Sequence, residues 1–322
     1  MIAPILPLAP NTTRDVPAAC LADWPWKVAG LIDANQTPYL ASWPKITIVT
    51  PTLNQDRFLE AAIRSVLLQE YPNLEYIILD GGSTDASIDI IRHYEAHLAH
   101  WDSTPDNGPA SAINRGFSRA TGEILAWLNS DDVYQPGALH DAAATFLGYP
   151  EAELVYGEGW YINESGARIE PCRFIRRQFN RRYMVNKDPI LQPAAFWRRS
   201  LWERTGVLDE SLHWVFDWEW FIRAHKHGSF HYLPQNLAHY RIQPAALTRT
   251  GGLARQLEHG RVTRRYGAWW HPNHVVQQTR RLDALGRKYT GRWPRVPAAV
   301  ARLPFALPRY LAEWLLHGMY MR

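Results

Sequence analysis

From residue 45 onward the chain alternates short unbroken apolar runs with stretches in which apolar residues recur every three or four positions. Lys45-Ile-Thr-Ile-Val-Thr50 is a β-branched run stopped by Pro51, and it predicts a first strand. From about Asp56, the residues Phe58, Leu59, Ala62, Ile63, Val66 and Leu67 share one helical face. Leu74 to Leu79 predicts a second strand that runs into Asp80. There Gly81 and Gly82 permit a tight turn, and Ser83 or Thr84 is placed to cap a helix carrying Ile88, Ile91 and Tyr94. The polar loop from Asp102 to Pro109 leads to a helix with Ala112, Ile113, Gly116, Phe117 and Ala120, ended by Gly122. Glu123-Ile-Leu-Ala-Trp-Leu128 then predicts a buried strand, which breaks off at Asn129-Ser-Asp131-Asp132.

Strand–helix alternation of this kind implies an α/β fold with a parallel sheet and right-handed crossovers. The ends of the first, second and fourth strands, at Pro51 to Asn54, at Asp80 and at Asp131-Asp132, are then expected along one carboxyl edge, where open α/β sheets bind ligands. Ser130-Asp131-Asp132 taken alone is better explained as a helix cap. Three polar clusters at three strand ends are not explained that way, and together they describe a crevice of nucleotide size. Carboxylates are costly to bury unpaired, so a pair at the end of a core strand is expected to meet a cation or to face solvent.

After Asp132 the alternation weakens. Leu154 to Gly157 and Trp160 to Ile162, with the turn at Glu164-Ser-Gly166, predict a hairpin-like insertion. Gln192-Pro-Ala-Ala-Phe-Trp197 precedes a helix, and Asp217-Trp-Glu-Trp220 opens another. Aromatic rings beside acids suit a sugar site, and they suit equally a capped, well-packed helix start. Residues 1–44, rich in Pro and Trp and without a sustained period, are read as an irregular arm. Residues 45–245 are read as the main domain, with a first half to 132 and a second from 133, and residues 246–322 as a basic, mainly helical extension.

Composition adds bounds rather than chemistry. Hydrophobic content of 46% against 20% charged residues describes a globular chain. Cys20 and Cys172 make neither a disulfide framework nor a metal cluster, which fits a reducing cytoplasm. The formal charge of +4 hides an asymmetry: residues 241–322 hold 15 Lys and Arg against 3 Asp and Glu, a net of +12, which leaves −8 for residues 1–240. A basic tail on an acidic body points to an anionic partner. Phe305, Tyr310, Leu311, Trp314 and Leu315 lie within an amphipathic segment, 303–321, that reads either as a membrane-surface helix or as a terminal helix docked on the domain. Its bulky apolar residues favour an anionic membrane surface over nucleic acid, and no nucleic-acid partner is expected. No apolar stretch is long enough to span a bilayer, and the proline-broken start lacks a signal peptide's positive charge. The expected location is the cytoplasm, peripheral to the inner membrane face.

The ordered set Pro51-Thr-Leu-Asn54, Leu79-Asp80-Gly-Gly-Ser-Thr-Asp85, Asp106-Asn-Gly108, Ala112-Ile-Asn114-Arg-Gly116, Ala120-Thr-Gly-Glu123 and Leu128-Asn-Ser-Asp-Asp132 resembles the inverting family 2 glycosyltransferases of the GT-A fold. Each piece alone is weak; the set is specific and covers roughly residues 45–245. The resemblance implies a mostly parallel sheet flanked by helices, a nucleoside-diphosphate sugar donor of UDP or dTDP type, and a saccharide or lipid-linked acceptor, as in the synthesis of a cell-surface polysaccharide or glycolipid. It further implies that Pro51, Thr52, Asn54 and Asp80 line the nucleotide pocket, with Asp106 and Arg115 near the nucleotide or donor sugar. Asp131 would lie by the ribose or sugar, and Asp132 would ligate Mn²⁺ or Mg²⁺. Asp217 would be the catalytic base, with Trp218 and Glu219 on the acceptor side.

Two positions depart from the family pattern: Ser111 where Asp is frequent, and Gln243 where a metal-binding His is frequent. An amide oxygen can ligate a hard cation but is no imidazole, so Gln243 puts metal dependence in question. Both departures favour an alternative, a non-catalytic nucleotide-sugar-binding or scaffold protein, which intact Asp131, Asp132 and Asp217 oppose. A glycoside hydrolase would need two carboxyl groups facing each other, whereas Asp217 and Glu219, two apart on a helix, diverge. A nucleotidyltransferase would carry a Gly-rich basic turn where this chain has Pro51-Thr-Leu-Asn-Gln55.

Overall fold

The computed structural model of the protein describes residues 43–267, apart from Arg176 and Ala245. Residues 1–42 with Cys20, and residues 268–322 with the expected surface helix, lie outside the described residues. The chain divides into two compact units, Met1–Phe179 with Asp188–Pro244, and Asn180–Lys187 with Ala245–Arg322.

The first unit is built on a nine-stranded sheet in the order β3-β2-β1-β4-β8-β6-β9-β5, with β7 paired to β6. Its first half runs β1 (Ile46–Thr52), α1 (Asp56–Leu67), β2 (Leu74–Asp80), α2 (Ser87–Tyr94), β3 (His100–Ser103), α3 (Pro109–Arg119) and β4 (Ile124–Trp127). The β3-β2-β1-β4 ladders are all parallel, as expected from the alternation. Every residue of β1 is buried because helices cover both faces. Ile46 and Ile48 meet Leu59, Ile63 and Val66 of α1, each such side chain contributing about 1.5–3 kcal/mol. The opposite face lies against α3, where a Cβ at Gly116 would come within 2.5 Å of Val49 Cγ1.

After β4 the chain runs β5 (Val133–Tyr134), α4 (Ala138–Gly148), β6 (Ala152–Ile162), β7 (Arg168–Pro171), α5 (Arg181–Asn186, which belongs to the second unit), β8 (Ala195–Arg198), α6 (Arg199–Thr205), α7 (Phe216–Ala224) and β9 (Ser229–Arg241). Here the ladders are mixed: β8 is antiparallel to β4 and to β6, and the long β6–β9 ladder is parallel. The segment expected as an inserted hairpin is instead one strand, β6, inside the sheet; its hairpin partner is the short β7 beyond the Gly166 turn. Two further expectations are corrected in detail. Pro51 lies within β1 rather than ending it, because the donor it lacks would face β4, whose pairing with β1 stops at Val49↔Trp127. Helix α2 takes its N-terminal bond from Asp85, whose Oδ1 accepts from Ser87 N at 2.9 Å, and not from Ser83 or Thr84. The mostly polar thirteen-residue β9 carries no apolar run that would announce it.

Two internal clusters matter below. At the amino edge of the sheet, Glu75 accepts from Thr121 N at 2.7 Å and Thr121 Oγ1 at 2.6 Å, bonds Thr47 Oγ1, and pairs with Lys45 at 2.9 Å. Burial works to raise its pKa, but these donors outweigh burial and hold it down to about 2. On the α3 face, Trp127, Trp197, Trp202 and Trp220 pack with Phe117, the successive indole centroids 4.8 to 6.4 Å apart.

In the second unit, Asn180 caps α5 by accepting from Tyr183 N at 2.9 Å, and the chain from residue 246 forms α8 (Leu247–Thr250) and α9 (Gly252–Arg265). Among the described residues no helix is long and apolar enough to cross a membrane.

Candidate functional site

The carboxyl edge gathers the turn after β1, the turn after β2 and the loop after β4. In the first turn Asn54 is left-handed, φ 52°, a conformation Asn tolerates better than most residues. Its N–H donates to Ser83 Oγ at 2.7 Å and its Oδ1 accepts from Thr84 N at 2.8 Å, so the turns after β1 and β2 form one wall. Asp80 organises that wall. Its oxygens accept from Gly82 N at 3.0 Å, Ser83 N at 2.8 Å, the Ser83 hydroxyl and Ser103 Oγ at 2.6 Å. The residue is fully buried, and its carboxylate shapes the wall through these bonds.

Pro51 and Thr52 are buried at the end of β1, and the Thr52 hydroxyl has no hydrogen-bond partner. Behind Gly81 stands Asp106; a Cβ at 81 would meet its Oδ2 at 3.1 Å, so glycine is what lets the two turns close up. Asp106 accepts from Gly108 N at 2.8 Å, and Arg115 lies 3.9 Å from it and 3.4 Å from Asp102. Burial pushes the Asp106 carboxyl up, against the pull of the Gly108 N–H and of Arg115.

The two aspartates after β4 have different surroundings. Asp132 is 1% exposed; its Oδ1 accepts from Arg241 N at 2.9 Å and its Oδ2 faces Asn129 Nδ2 at 3.5 Å. Burial, and then the charge of Asp131, push the Asp132 carboxyl well above the usual range. Asp131 is partly exposed, and its Oδ2 accepts from Gln243 Nε2 at 2.9 Å. Burial also raises Asp131, against the Gln243 amide. Of the two, Asp131 is the more exposed. Gln243 also approaches Gln55 Oε1, at 3.4 Å, and so joins the aspartates to the turn after β1.

Sequence reasoning gave no structural part to Arg241 or Gln192. Arg241 is 4% exposed and pins the loop through Nε to Asp131 O at 2.7 Å and NH1 to Asn163 O at 2.8 Å. Gln192 holds β4 by donating to Trp127 O at 2.9 Å and accepting from Asn129 Nδ2 at 3.2 Å. A polar residue at the border of an apolar run is the one signal either gives.

Asp217 sits in the first turn of α7, partly exposed, with Oδ1 accepting from Trp218 N at 2.7 Å. Its neighbour Phe216 lies 6.4 Å, ring to ring, from Trp127 at the end of β4. Trp218 and Glu219, expected on the acceptor side, are 2% and 1% exposed. The Glu219 carboxylate accepts from Arg223 Nε, at 3.1 and 3.0 Å, and so braces the helix.

The carboxylate oxygens at the β4 end, Asp131 beside buried Asp132, suit a hard divalent cation, whose charge would relieve two raised and mutually repelling carboxyls, while Gln243 turns its NH2 rather than its oxygen toward Asp131. Among the described residues no three His, Cys, Asp or Glu side chains gather to hold a metal by themselves. The arrangement matches cations that take one or two carboxylates and complete their shell with substrate phosphates and water.

A family model described as Glycosyl transferase family 2 matches residues 47–204. The chain is 30% identical over 195 residues to a PGL/p-HBAD biosynthesis glycosyltransferase of Mycobacterium bovis, covering 56% of this chain and 70% of that one. It is 28% identical over 188 residues to an uncharacterised glycosyltransferase of Mycobacterium tuberculosis, covering 58% and 70%. Among solved structures, Staphylococcus aureus TarS 1–349 in complex with UDP-GlcNAc superposes with a TM-score of 0.60 at 16% identity, over 85% of this chain and 92% of that one. The mannosyltransferase PcManGT from Pyrobaculum calidifontis, in complex with GDP-Man and Mn²⁺, gives 0.51 at 18% identity, over 86% and 70%. At these identities the structural likenesses speak for the fold.

Proposed function

We propose, from the premise that this chain belongs to glycosyltransferase family 2, that it moves a sugar from a nucleoside-diphosphate donor to a hydroxyl of a saccharide or lipid-linked acceptor with inversion at the anomeric carbon. The observation that carries the reading is the joint between Gln55, Gln243 and Asp131, which brings the turn after β1 and the aspartates after β4 to one crevice. In this reading the Pro51–Asn54 turn, Asp106 and Arg115 receive the nucleotide and donor sugar, and Asp80 keeps their wall in shape. Asp131 meets a divalent cation, Mn²⁺ or Mg²⁺, with Asp132 adding negative charge from behind and the Gln243 NH2 holding the Asp131 carboxylate in place. When bound, that cation supplies neutralisation of the charge on the departing diphosphate.

Asp217 is the general base. It takes the proton of the acceptor hydroxyl; the oxygen forms its bond to the anomeric carbon from one face while the bond to the diphosphate breaks on the other. The family and the relative named for PGL/p-HBAD biosynthesis support a role in building a cell-surface polysaccharide or glycolipid. The +12 charge of residues 241–322 supports an anionic membrane surface as partner and a peripheral, cytoplasmic location.

Calorimetric titration of UDP, GDP and dTDP, with and without Mn²⁺, on wild type, Asp131→Ala and Asp217→Asn tests this. Metal-assisted binding of one nucleotide, lost in Asp131→Ala and kept in Asp217→Asn while transfer falls about 100- to 10,000-fold, is expected. Binding that ignores metal would make the enzyme metal-independent, with Gln243 as the reason. No nucleotide binding would overturn the donor site.

A further inference from the structure

The ten residues between α6 and α7 lead straight into Phe216 and Asp217, and they are fastened at both ends to different parts of the molecule. At the near end, Arg223 of α7 reaches back: NH1 donates to Thr205 O at 2.7 Å and NH2 to Val207 O at 2.7 Å, while Nε is held by Glu219. Trp220 Nε1 donates to Gly206 O at 2.9 Å, across a turn whose φ of +82° favours glycine. One step further on, Asn114 of α3 closes a two-way bond with the strap: its Oδ1 accepts from Leu208 N at 2.9 Å and its Nδ2 donates to Leu208 O at 3.0 Å. Nδ2 also meets Glu210 Oε1 at 2.9 Å. Toward its far end, His213 lies 4.0 Å from where a Cβ on Gly108 would stand, beside the Asp106 turn.

Helix α3 is the helix of Arg115, and the turn before it is that of Asp106. Asn114 therefore ties a backbone segment nine residues before Asp217 to the donor side. Leu208 is 1% exposed, and a buried backbone N–H and C=O both matched by one amide leave that segment a single register. A loop without this amide would hold its bonds to water and sample many positions. General-base catalysis depends steeply on where the base stands relative to the reacting carbon, which the donor side fixes.

We infer that Asn114 and Arg223 are positioning residues: they set Asp217 against the donor through the strap 206–215, without touching either substrate. The inference rests on the proposed role of Asp217 and deepens it. Arg223 acts as a planar fork that spans two carbonyls while its own charge is neutralised by a buried carboxylate, a geometry Lys cannot reproduce. Asn114 acts by matching both polar groups of one peptide.

The test uses the full chain and a panel of UDP-, GDP- and dTDP-hexoses, with release of the nucleoside diphosphate to alkyl glycoside acceptors as the assay. Asn114→Ala and Arg223→Lys are each expected to lower kcat about 10- to 100-fold, with KM for the donor and calorimetric binding of the nucleotide within about twofold of wild type. In an Asp217→Asn background, Asn114→Ala is expected to lower the residual turnover by less than about twofold, because the group it positions is gone. A purely structural role would depress the residual turnover as much as it depresses wild type. If Arg223→Lys fails to fold, Asn114→Ala and Asn114→Asp, which keeps the acceptor for Leu208 N but loses the donor for Leu208 O, carry the test alone. Wild-type kcat in the Asn114 variants, with Asp217→Asn inactive, overturns the inference. Full activity of Asp217→Asn overturns instead the assignment of the base.

Discussion

The two edges of the sheet treat buried acid in opposite ways. At the amino edge, Glu75 is surrounded by the Thr121 amide and hydroxyl, the Thr47 hydroxyl and Lys45, and its carboxyl is held down to about 2. At the carboxyl edge, Asp131 and Asp132 stand side by side with fewer donors, and both carboxyls are raised, burial first and for Asp132 the neighbouring charge next. Glu75 is complete: each of its donors belongs to the chain, and it locks Thr47 of β1 and Thr121 before β4 to β2. The aspartate pair is incomplete by the same measure. A folded chain keeps such a pair where a ligand finishes the electrostatics, and the cost to stability is the signature of function.

Separating the two acids by substitution gives the widest contrast. Asp131→Asn is expected to reduce transfer on the order of 1,000-fold, equivalent to the several kcal/mol that a cation site supplies at a departing diphosphate. Its metal-free melting temperature should stay level or rise, since one of two like charges is gone. The shift that Mn²⁺ gives wild type in a thermal melt should disappear. A variant that melted well below wild type would make Asp131 a structural acid like Glu75. The mirror experiment is Glu75→Gln, expected to lower stability by about 1–3 kcal/mol in a urea titration while kcat at saturating donor stays at the wild-type value. Loss of kcat there would mean that the two edges are coupled.

A finer probe is acid. Glu75 is depressed in the folded chain and titrates near the ordinary glutamate value, about 4.3, when unfolded. Between that value and about 2 the unfolded chain binds the extra proton. Its stabilisation is therefore complete above about pH 4.3 and is lost as pH falls through about 2. Urea midpoints of wild type and Glu75→Gln should converge across that window; curves that stayed parallel would remove the charge from the account.

Much of the first half was legible in the chain because strands covered on both faces read as unbroken apolar runs, and helices over them as amphipathic stripes. Ile46–Thr52 and Phe58 to Leu67 are of that kind. The other half was opaque for a physical reason: β6 mixes buried with half-buried positions and β9 buried with exposed ones, and their pairing depends on contacts far apart in sequence. The site divides the same way. Asn54, Asp131 and Asp132 stood out as polar residues at strand ends. The joint of Gln243 with Gln55 spans 188 positions and the Arg241 tie to Asp131 spans 110, beyond the reach of any local pattern. Trp218 and Glu219 were ambiguous because acids interleaved with aromatics compose both a sugar platform and a buried clamp; the structure adds that both are buried.

The indole cluster carries a consequence of another sort. Trp127 ends the strand that leads to the aspartates, Trp220 lies on the helix that carries Asp217, and Trp197 stands between them at 5.1 and 4.8 Å. Chromophores this close share their excited states, so the near-ultraviolet circular dichroism of the group depends on their mutual angles. The protein thus contains a built-in optical gauge strung between the strand of the aspartates and the helix of Asp217, and a movement of a few degrees between them would register as a change in ellipticity without any label attached.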